Sequence, residues 1–322
     1  MSKVYLIRFS SKSSGGNLLL GKYGDTNFLT SKVIEITILN ANNRFWPDVF
    51  LSLYQLFKLV ILIRFQSKII VYSDPILSFL DLCIPKKKII RLIQSKDEDL
   101  YSNHPRLSVS IQKLLKSYII FALKFGKSIK LVHTPRLKTY VEKYDHSVEQ
   151  ITIPLPIFSV AQVKGCEDYI SVVMSNPLLK NIELLIDIAN DFPSQVFHVI
   201  TPYDLDKMPS NVLLKHFLER HELLYHIKNS KCHLSVSTKE SIGLPVFEAM
   251  ALDVPSVFLL NDGNSQFLEP GLLSFEHYNK ESFASILETF KHASFKKNII
   301  KKQRLVINKY FDVNVESTNE IT

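Results

Sequence analysis

The sequence predicts an α/β protein of two domains, each a parallel sheet covered by helices on both faces. Three observations lead there. Short, almost wholly apolar runs alternate with helix-like runs along the whole chain, the pattern of strands buried on both sides. At 322 residues and 46% hydrophobic content, the chain is too long for one ordinary core and suits two domains of about 150 residues. Near its midpoint Ile151-Thr-Ile-Pro-Leu-Pro-Ile157 interrupts the rhythm. Two prolines there exclude a helix interior and stiffen an extended connector.

In the first half, strands are expected near residues 3–9, 33–38, 68–72, 88–93 and 129–133, with helices near 15–22, 47–64, 75–82 and 108–125. In the second half, strands are expected near 169–174, 196–200, 221–224, 232–236 and 255–260. Helices near 180–190, 206–216, 226–230, 245–252 and 281–292 separate them, and a basic helix near 295–311 follows. The domains then divide as residues 1–158 and 159–322, with the connector running on to about Asp168. Two Rossmann-like units result, and ligands of open α/β sheets bind beyond the carboxyl ends of the strands. Both units are expected to aim those ends into a shared cleft.

The balance of 39 basic to 31 acidic residues gives a formal charge of +8. Such a surface suits nucleic acid, an anionic membrane or anionic small molecules. No RNA-binding signature, helix-turn-helix or zinc finger accompanies the lysines, so nucleic acid is not the expected partner. Lys86, Lys87, Lys88 and Arg91 form one basic cluster, and Lys113, Lys116, Lys124, Lys127 and Lys130 line another segment. These suggest peripheral contact with anionic lipid. The apolar window Val49 to Phe65 contains Lys58 and Arg64. It falls short of the roughly 20 residues that span a bilayer and reads as a buried helix. The chain opens on the strand-like Val4-Tyr-Leu-Ile-Arg-Phe9 without the pattern of a signal peptide. Three scattered cysteines, Cys83, Cys166 and Cys232, suggest a reducing compartment. A cytoplasmic location, at or near the inner face of the membrane, is therefore expected.

The stretch Ser237-Thr-Lys-Glu-Ser-Ile-Gly-Leu-Pro-Val-Phe-Glu-Ala-Met250 concentrates binding groups. It follows the strand-like His233-Leu-Ser-Val236 and holds two carboxylates, Glu240 and Glu248, with seven residues between them. Gly243 permits close approach of backbone to a ligand, and Pro245 suits the first helical position. Val246, Phe247, Ala249 and Met250 should face inward, with Glu248 in the first helical turn. A strand, a tight turn and a helix N-terminus converge free N–H groups on an anion. An acid on either side of that site suits a ligand with phosphate in its middle and hydroxyls at both ends, such as a sugar nucleotide.

Read on to Pro255, as Glu240-Ser-Ile-Gly-Leu-Pro-Val-Phe-Glu-Ala-Met-Ala-Leu-Asp-Val-Pro255, the stretch resembles the glutamate-x7-glutamate signature of retaining glycosyltransferases of the GT-B fold, family 4 in particular. The resemblance implies GT-B architecture, with the last helix crossing back to the first domain, and transfer of a sugar from a nucleotide-diphosphate donor with no metal required. It implies that Glu248 binds ribose hydroxyls, that Glu240 lies near the donor sugar, and that the backbone at Gly243 and Leu244 holds the distal phosphate. The family's G-R-x4-K segment is met here by Met174-Ser-Asn-Pro-Leu-Leu-Lys180. Lys180 keeps the lysine, expected in the first turn of a helix as a catalytic cation for the departing diphosphate. Ser175 stands where the arginine would be, and Lys239 is a candidate substitute cation. Asp253 replaces a usual glycine, and Asn261-Asp-Gly-Asn-Ser-Gln266 keeps only Gly263 of a glycine-rich loop.

In the first half, Gly15 and Gly16 follow the first strand where family members carry a glycine-rich loop facing donor phosphate. Arg91-Leu-Ile-Gln-Ser-Lys-Asp-Glu-Asp99 is similar to the Q-D-x-E element of the rhamnosyltransferase-like branch of bacterial surface-polysaccharide enzymes. That makes Gln94, Asp97 and Glu98 acceptor-side candidates, joined by His133 at the end of the next strand. The acceptor implied is a glycan or lipid-linked oligosaccharide. A sugar-nucleotide epimerase or hydrolase on the same fold, a non-catalytic nucleotide-sugar-binding relative, and a basic nucleic-acid binder are the rival readings.

Overall fold

The computed structural model describes residues 3–8, 30–35, 68–72, 78, 80, 89–93, 108–158, 168–175, 180–216, 218–240, 242–269 and 271–316. The chain divides into two compact units, Met1–Ile153 and Pro154–Thr322.

The first unit holds strands β1 (Lys3–Arg8), β2 (Thr30–Glu35), β3 (Lys68–Tyr72), β4 (Ile89–Ile93), β5 (Ile129–Val132) and β6 (Glu149–Gln150). They pair in the order β2-β1-β3-β4-β5-β6, parallel throughout. Helices α1 (Val109–Phe125) and α2 (Pro135–Glu142) pack Ile119, Leu123, Leu137, Tyr140 and Val141 against Ile93 and Val132 of the sheet. Thr134 caps α2 by accepting from the Leu137 N–H, with Pro135 in the first turn where no N–H is needed. Lys130, expected on a basic surface, is instead fully buried. Its ammonium donates to Asp145 at 2.6 Å and to the Gly126 carbonyl at 3.1 Å. Burial opposes ionisation of Asp145, but the Lys130 and Ser147 hydrogen bonds outweigh it and bring its pKa down to about 2. Arg91 is also fully buried, with its guanidinium over the Tyr72 ring.

The second unit holds β7 (Ile153–Phe158), β8 (Tyr169–Val173), β9 (Val196–Thr201), β10 (Val212–His216), β11 (Cys232–Ser235), β12 (Ser256–Leu259), β13 (Leu273–Phe275) and β14 (Phe311–Glu316). Its main sheet is parallel, in the order β10-β9-β8-β11-β12-β13. Numbered within this sheet, that is 3-2-1-4-5-6, the Rossmann order, whose direction of progression reverses between β8 and β11. Helices α3 (Ile182–Asp191), α4 (Arg220–Lys228), α5 (Leu244–Ala251), α6 (Lys280–Thr289) and α7 (Ala293–Tyr310) accompany it. One core joins Ile170, Val172, Leu185, Ile188, Phe197, Val199, Leu234, Val257 and Phe283.

The structure departs from the sequence expectations at two elements. The helix expected near 206–216 ends in strand β10, because residues 212–216 complete a parallel ladder with β9. Asn211 fixes the turn before it, donating to the carbonyls of Ala189, Phe192 and Gln195 at 2.9, 3.0 and 2.9 Å. The strand expected near 221–224 lies inside α4. A reciprocal capping box between Glu219 and Glu222 starts that helix. The proline-bearing connector is extended, as its sequence predicts: it holds the boundary between the units and forms strand β7, paired with β14. Alternate residues turn their N–H groups to one edge, so Pro154 and Pro156 strip donors from that edge only. Ile153, Leu155 and Ile157, which alternate with the prolines, are buried.

Candidate functional site

The site is built where the sheet order of the second unit reverses. Lys180 follows β8 in the chain, and the loop leaving β11 leads to Glu240. The Lys180 ammonium donates to Glu240 Oε1 and forms an ion pair with it. Two residues 60 apart in sequence are thus joined across the strands that flank the reversal. Lys180 lies just ahead of α3, outside the first turn expected for it. Asn181 takes the N-cap in a left-handed conformation, φ 52°, and accepts from the Leu184 N–H. An amide side chain tolerates that region better than most.

Gly243 caps α5 with φ 86°, a region natural to glycine. Gly263 is held by contact instead: a Cβ there would stand 2.3 Å from the Glu240 carbonyl oxygen. The loop bearing Gly263 is fixed by two buried amides. Asn261 donates to the Ser237 carbonyl at 2.9 Å and accepts from the Gly263 N–H at 2.9 Å, while Asn264 donates to the Leu259 carbonyl at 2.8 Å. The loops after β11 and β12 therefore form one braced wall around Glu240.

Helix α5 buries Val246, Phe247, Ala249 and Met250, as the apolar pattern predicts. The ring of Phe247 packs with Phe267 and Phe311 at centroid distances of 5.0 and 4.6 Å, which locks the helix in place. Glu248 lies in the second turn of α5, since the helix starts at Leu244, and it is 1% exposed. Arg220, the first residue of α4, holds it with both terminal nitrogens: Nη2 on Oε1, and Nη1 on Oε2 at 3.2 Å. Planar two-point pairing of this kind fixes a carboxylate in orientation as well as charge. Sequence reasoning missed Arg220. The Glu219–Glu222 capping pattern, which places Arg220 at the start of a helix, was the available signal.

Behind the pair, His233 on β11 is buried and bonded through Nδ1 to Ser171 at 3.1 Å. Burial, followed by the charge of Lys180, lowers its pKa to about 3, so the ring is neutral. Lys239 and Ser175 are exposed, and Leu244 is half-buried at the head of α5. Asp253, in the glycine position of the signature, holds φ 62° and is bound by Arg304 of α7 through two hydrogen bonds of 2.6 Å. In the first unit His133 is buried beside the Thr152 backbone, and burial lowers its pKa to about 4. Gly15, Gly16, Gln94, Asp97 and Glu98 lie outside the described residues.

Residues 205–309 match the family described as "Glycosyl transferases group 1". No curated protein is found as a significant match. Among solved structures, the chain is similar to TarM of S. aureus, at 20% identity over 82% of this chain and a TM-score of 0.60. It spans 56% of that protein, little more than half its length. Sucrose-phosphate synthase of Thermosynechococcus elongatus aligns over 97% of this chain and 95% of its own, with 12% identity and a TM-score of 0.73. Anabaena HepE, in complex with UDP and glucose, aligns over 97% and 96% with 12% identity and a TM-score of 0.67. The fold is therefore the two-unit Rossmann-like GT-B architecture, and the segment that carries the Glu240–Glu248 signature matches the group 1 glycosyl transferases.

Proposed function

We propose that this chain is a retaining glycosyltransferase. It moves a hexosyl or deoxyhexosyl group from a nucleoside-diphosphate donor to a hydroxyl of a glycan or lipid-linked acceptor, in the synthesis of bacterial surface polysaccharide. One observation carries the reading: the Lys180–Glu240 pair at the reversal of strand order, braced by Gly243 and Gly263 beside the N-terminus of α5. Open α/β sheets bind nucleotides at that point. HepE is in complex with UDP and glucose, and TarM with UDP, which makes uridine diphosphate the first nucleotide to test.

Each group then has a task. Glu248, oriented by Arg220, accepts two ribose hydroxyls. The backbone N–H groups at Gly243 and Leu244 and the helix dipole meet the distal phosphate. Lys180 and Glu240 are the catalytic pair. Lys180 neutralises the diphosphate as the bond from the anomeric carbon to its oxygen breaks. Glu240 accepts from the sugar hydroxyls and faces the positive charge that develops on the ring. The acceptor oxygen bonds to the anomeric carbon on the face the diphosphate leaves, and its proton passes to the diphosphate oxygen. Lys180 and the helix N-terminus carry the charge that a metal would otherwise carry, so turnover should survive chelation by EDTA. Gly15, Gly16 and Lys239 are further donor-side candidates. Gln94, Asp97, Glu98 and His133 remain candidates for the acceptor side.

The test is a melting screen of nucleotides and nucleotide sugars on wild type and Glu248→Ala. A ligand that binds only the native state raises the midpoint. One nucleotide family should shift wild type and leave Glu248→Ala unmoved; no shift with any nucleotide would refute the reading. Ser175, exposed at the end of β8 where the resemblance expects arginine, favours a second reading of nucleotide binding without turnover. Release of free nucleoside diphosphate in the presence of acceptor separates the two.

A further inference from the structure

Helix α1 (Val109–Phe125) does not obey the usual rule for a helix on a soluble surface. Its inner face is apolar and buried, through Ile119, Ala122 and Leu123. The opposite face should be polar. Instead it presents Leu114, Phe121 and Phe125, which are 70%, 51% and 54% exposed. Spacings of seven and four residues put these three on one stripe. The two rings touch, with centroids 4.8 Å apart, so they form one apolar ridge. Val109, near the start of the helix, is 66% exposed as well.

Lysines flank this ridge. Lys113, Lys116, Lys124 and the following Lys127 are all exposed, and residues 108–127 contain no acid. The Lys124 ammonium reaches over the Phe125 ring, 5.4 Å from its centroid, an arrangement in which an apolar stem lies along the ridge and the charge sits at its edge. Apolar and aromatic residues in a row, with lysines beside them, match the boundary between acyl chains and anionic headgroups. We propose that this outer face of α1 docks the protein onto an anionic lipid surface, with Leu114, Phe121 and Phe125 entering the acyl boundary and the lysines meeting phosphate headgroups.

Two other occupants fit less well. A second copy pairing face to face would set lysine against lysine without a countercharge from the helix. A nucleic acid would satisfy the lysines, but its phosphate backbone has no use for an aliphatic and aromatic ridge of this kind. The proposal goes beyond the nucleotide reading and stands apart from it, because no residue of the ridge belongs to the Lys180–Glu240 site.

The experiment is sedimentation of the full chain with vesicles of phosphatidylcholine, alone or mixed with phosphatidylglycerol. Wild type should bind the mixed vesicles, bind neutral ones at least about tenfold more weakly, and detach as salt rises. The double variant Phe121→Ser, Phe125→Ser and the triple variant Lys113→Gln, Lys124→Gln, Lys127→Gln should each lose at least about tenfold of that binding. Because these side chains are exposed, both variants should melt near wild type and keep the nucleotide-dependent shift, which separates failure here from failure of the nucleotide site. Absence of wild-type binding would overturn the proposal, as would equal binding to neutral vesicles or full binding by either variant. So would a dimer in light scattering that the double phenylalanine variant dissolves, or DNA binding that competes away the vesicles while ignoring the phenylalanines.

Discussion

Glu248 depends on Arg220. The carboxylate is buried and its charge is met by one guanidinium, itself partly exposed. Arg220→Ala would leave that charge without its main partner. Breaking a pair of this kind costs several kcal/mol when fully buried and little at the surface, so about 2 kcal/mol is expected here, read as a lower urea midpoint. Arg220→Lys should recover part of the stability but not the two-point geometry, and should bind nucleotide more weakly than wild type. Equal affinity in Arg220→Lys would show that orientation of Glu248 is not what matters. Gly263 gives the complementary case: Gly263→Ala would drive a methyl group into the Glu240 carbonyl. The expected result is a displaced loop and loss of the nucleotide shift; an unaltered shift would remove Gly263 from the wall of the site.

At the scale of elements, Asp253 is an instructive substitution. Its φ of 62° suits glycine, yet it is the point at which Arg304 ties α7 to the end of α5. Asp253→Ala keeps the strain and loses the tie, whereas Asp253→Gly relieves the strain. The alanine variant should therefore be less stable than the glycine variant by about 1 kcal/mol, read from paired melting curves. The same region shows what a sequence can reveal. Helix α5 and its inward face were legible because Gly-Leu-Pro marks a start and the apolar residues recur at helical spacing. Strands β8, β9, β11 and β12 were legible as short apolar runs. The segment 206–228 was misread because Leu213-Leu214 and Leu223-Leu224 suit either element. What decides between them is a ladder with β9 and a capping box, the first of which depends on residues distant in sequence. Lys180 and Glu240 could be named one by one, but their pairing follows from strand order, which local pattern does not encode.

At the scale of the whole molecule, buried titratable groups set the response to acid. His133 and His233 titrate at 6.5 when unfolded and at about 4 and about 3 when folded. Between those values the unfolded chain binds more protons, so their contribution is intact above pH 6.5 and is lost progressively as the pH falls toward 3. Asp145, brought down from 3.8 to about 2, adds a loss that begins only below about pH 4. Stability should thus start to fall below pH 6.5, by on the order of 1 kcal/mol per pH unit for each histidine. His233→Asn, which keeps a polar group toward Ser171, should flatten the upper part of that slope. A flat profile down to pH 4 in wild type would contradict the neutral, buried state of both rings.

Lys180 and Glu240, joined where the strand order reverses, would then mark the seat of a diphosphate. Calorimetric titration with a nucleoside diphosphate and the matching monophosphate, on wild type and Lys180→Ala, tests it most directly. Wild type should prefer the diphosphate by about tenfold or more, and Lys180→Ala should lose this preference while still binding the monophosphate. An undiminished preference for the diphosphate in Lys180→Ala would contradict it.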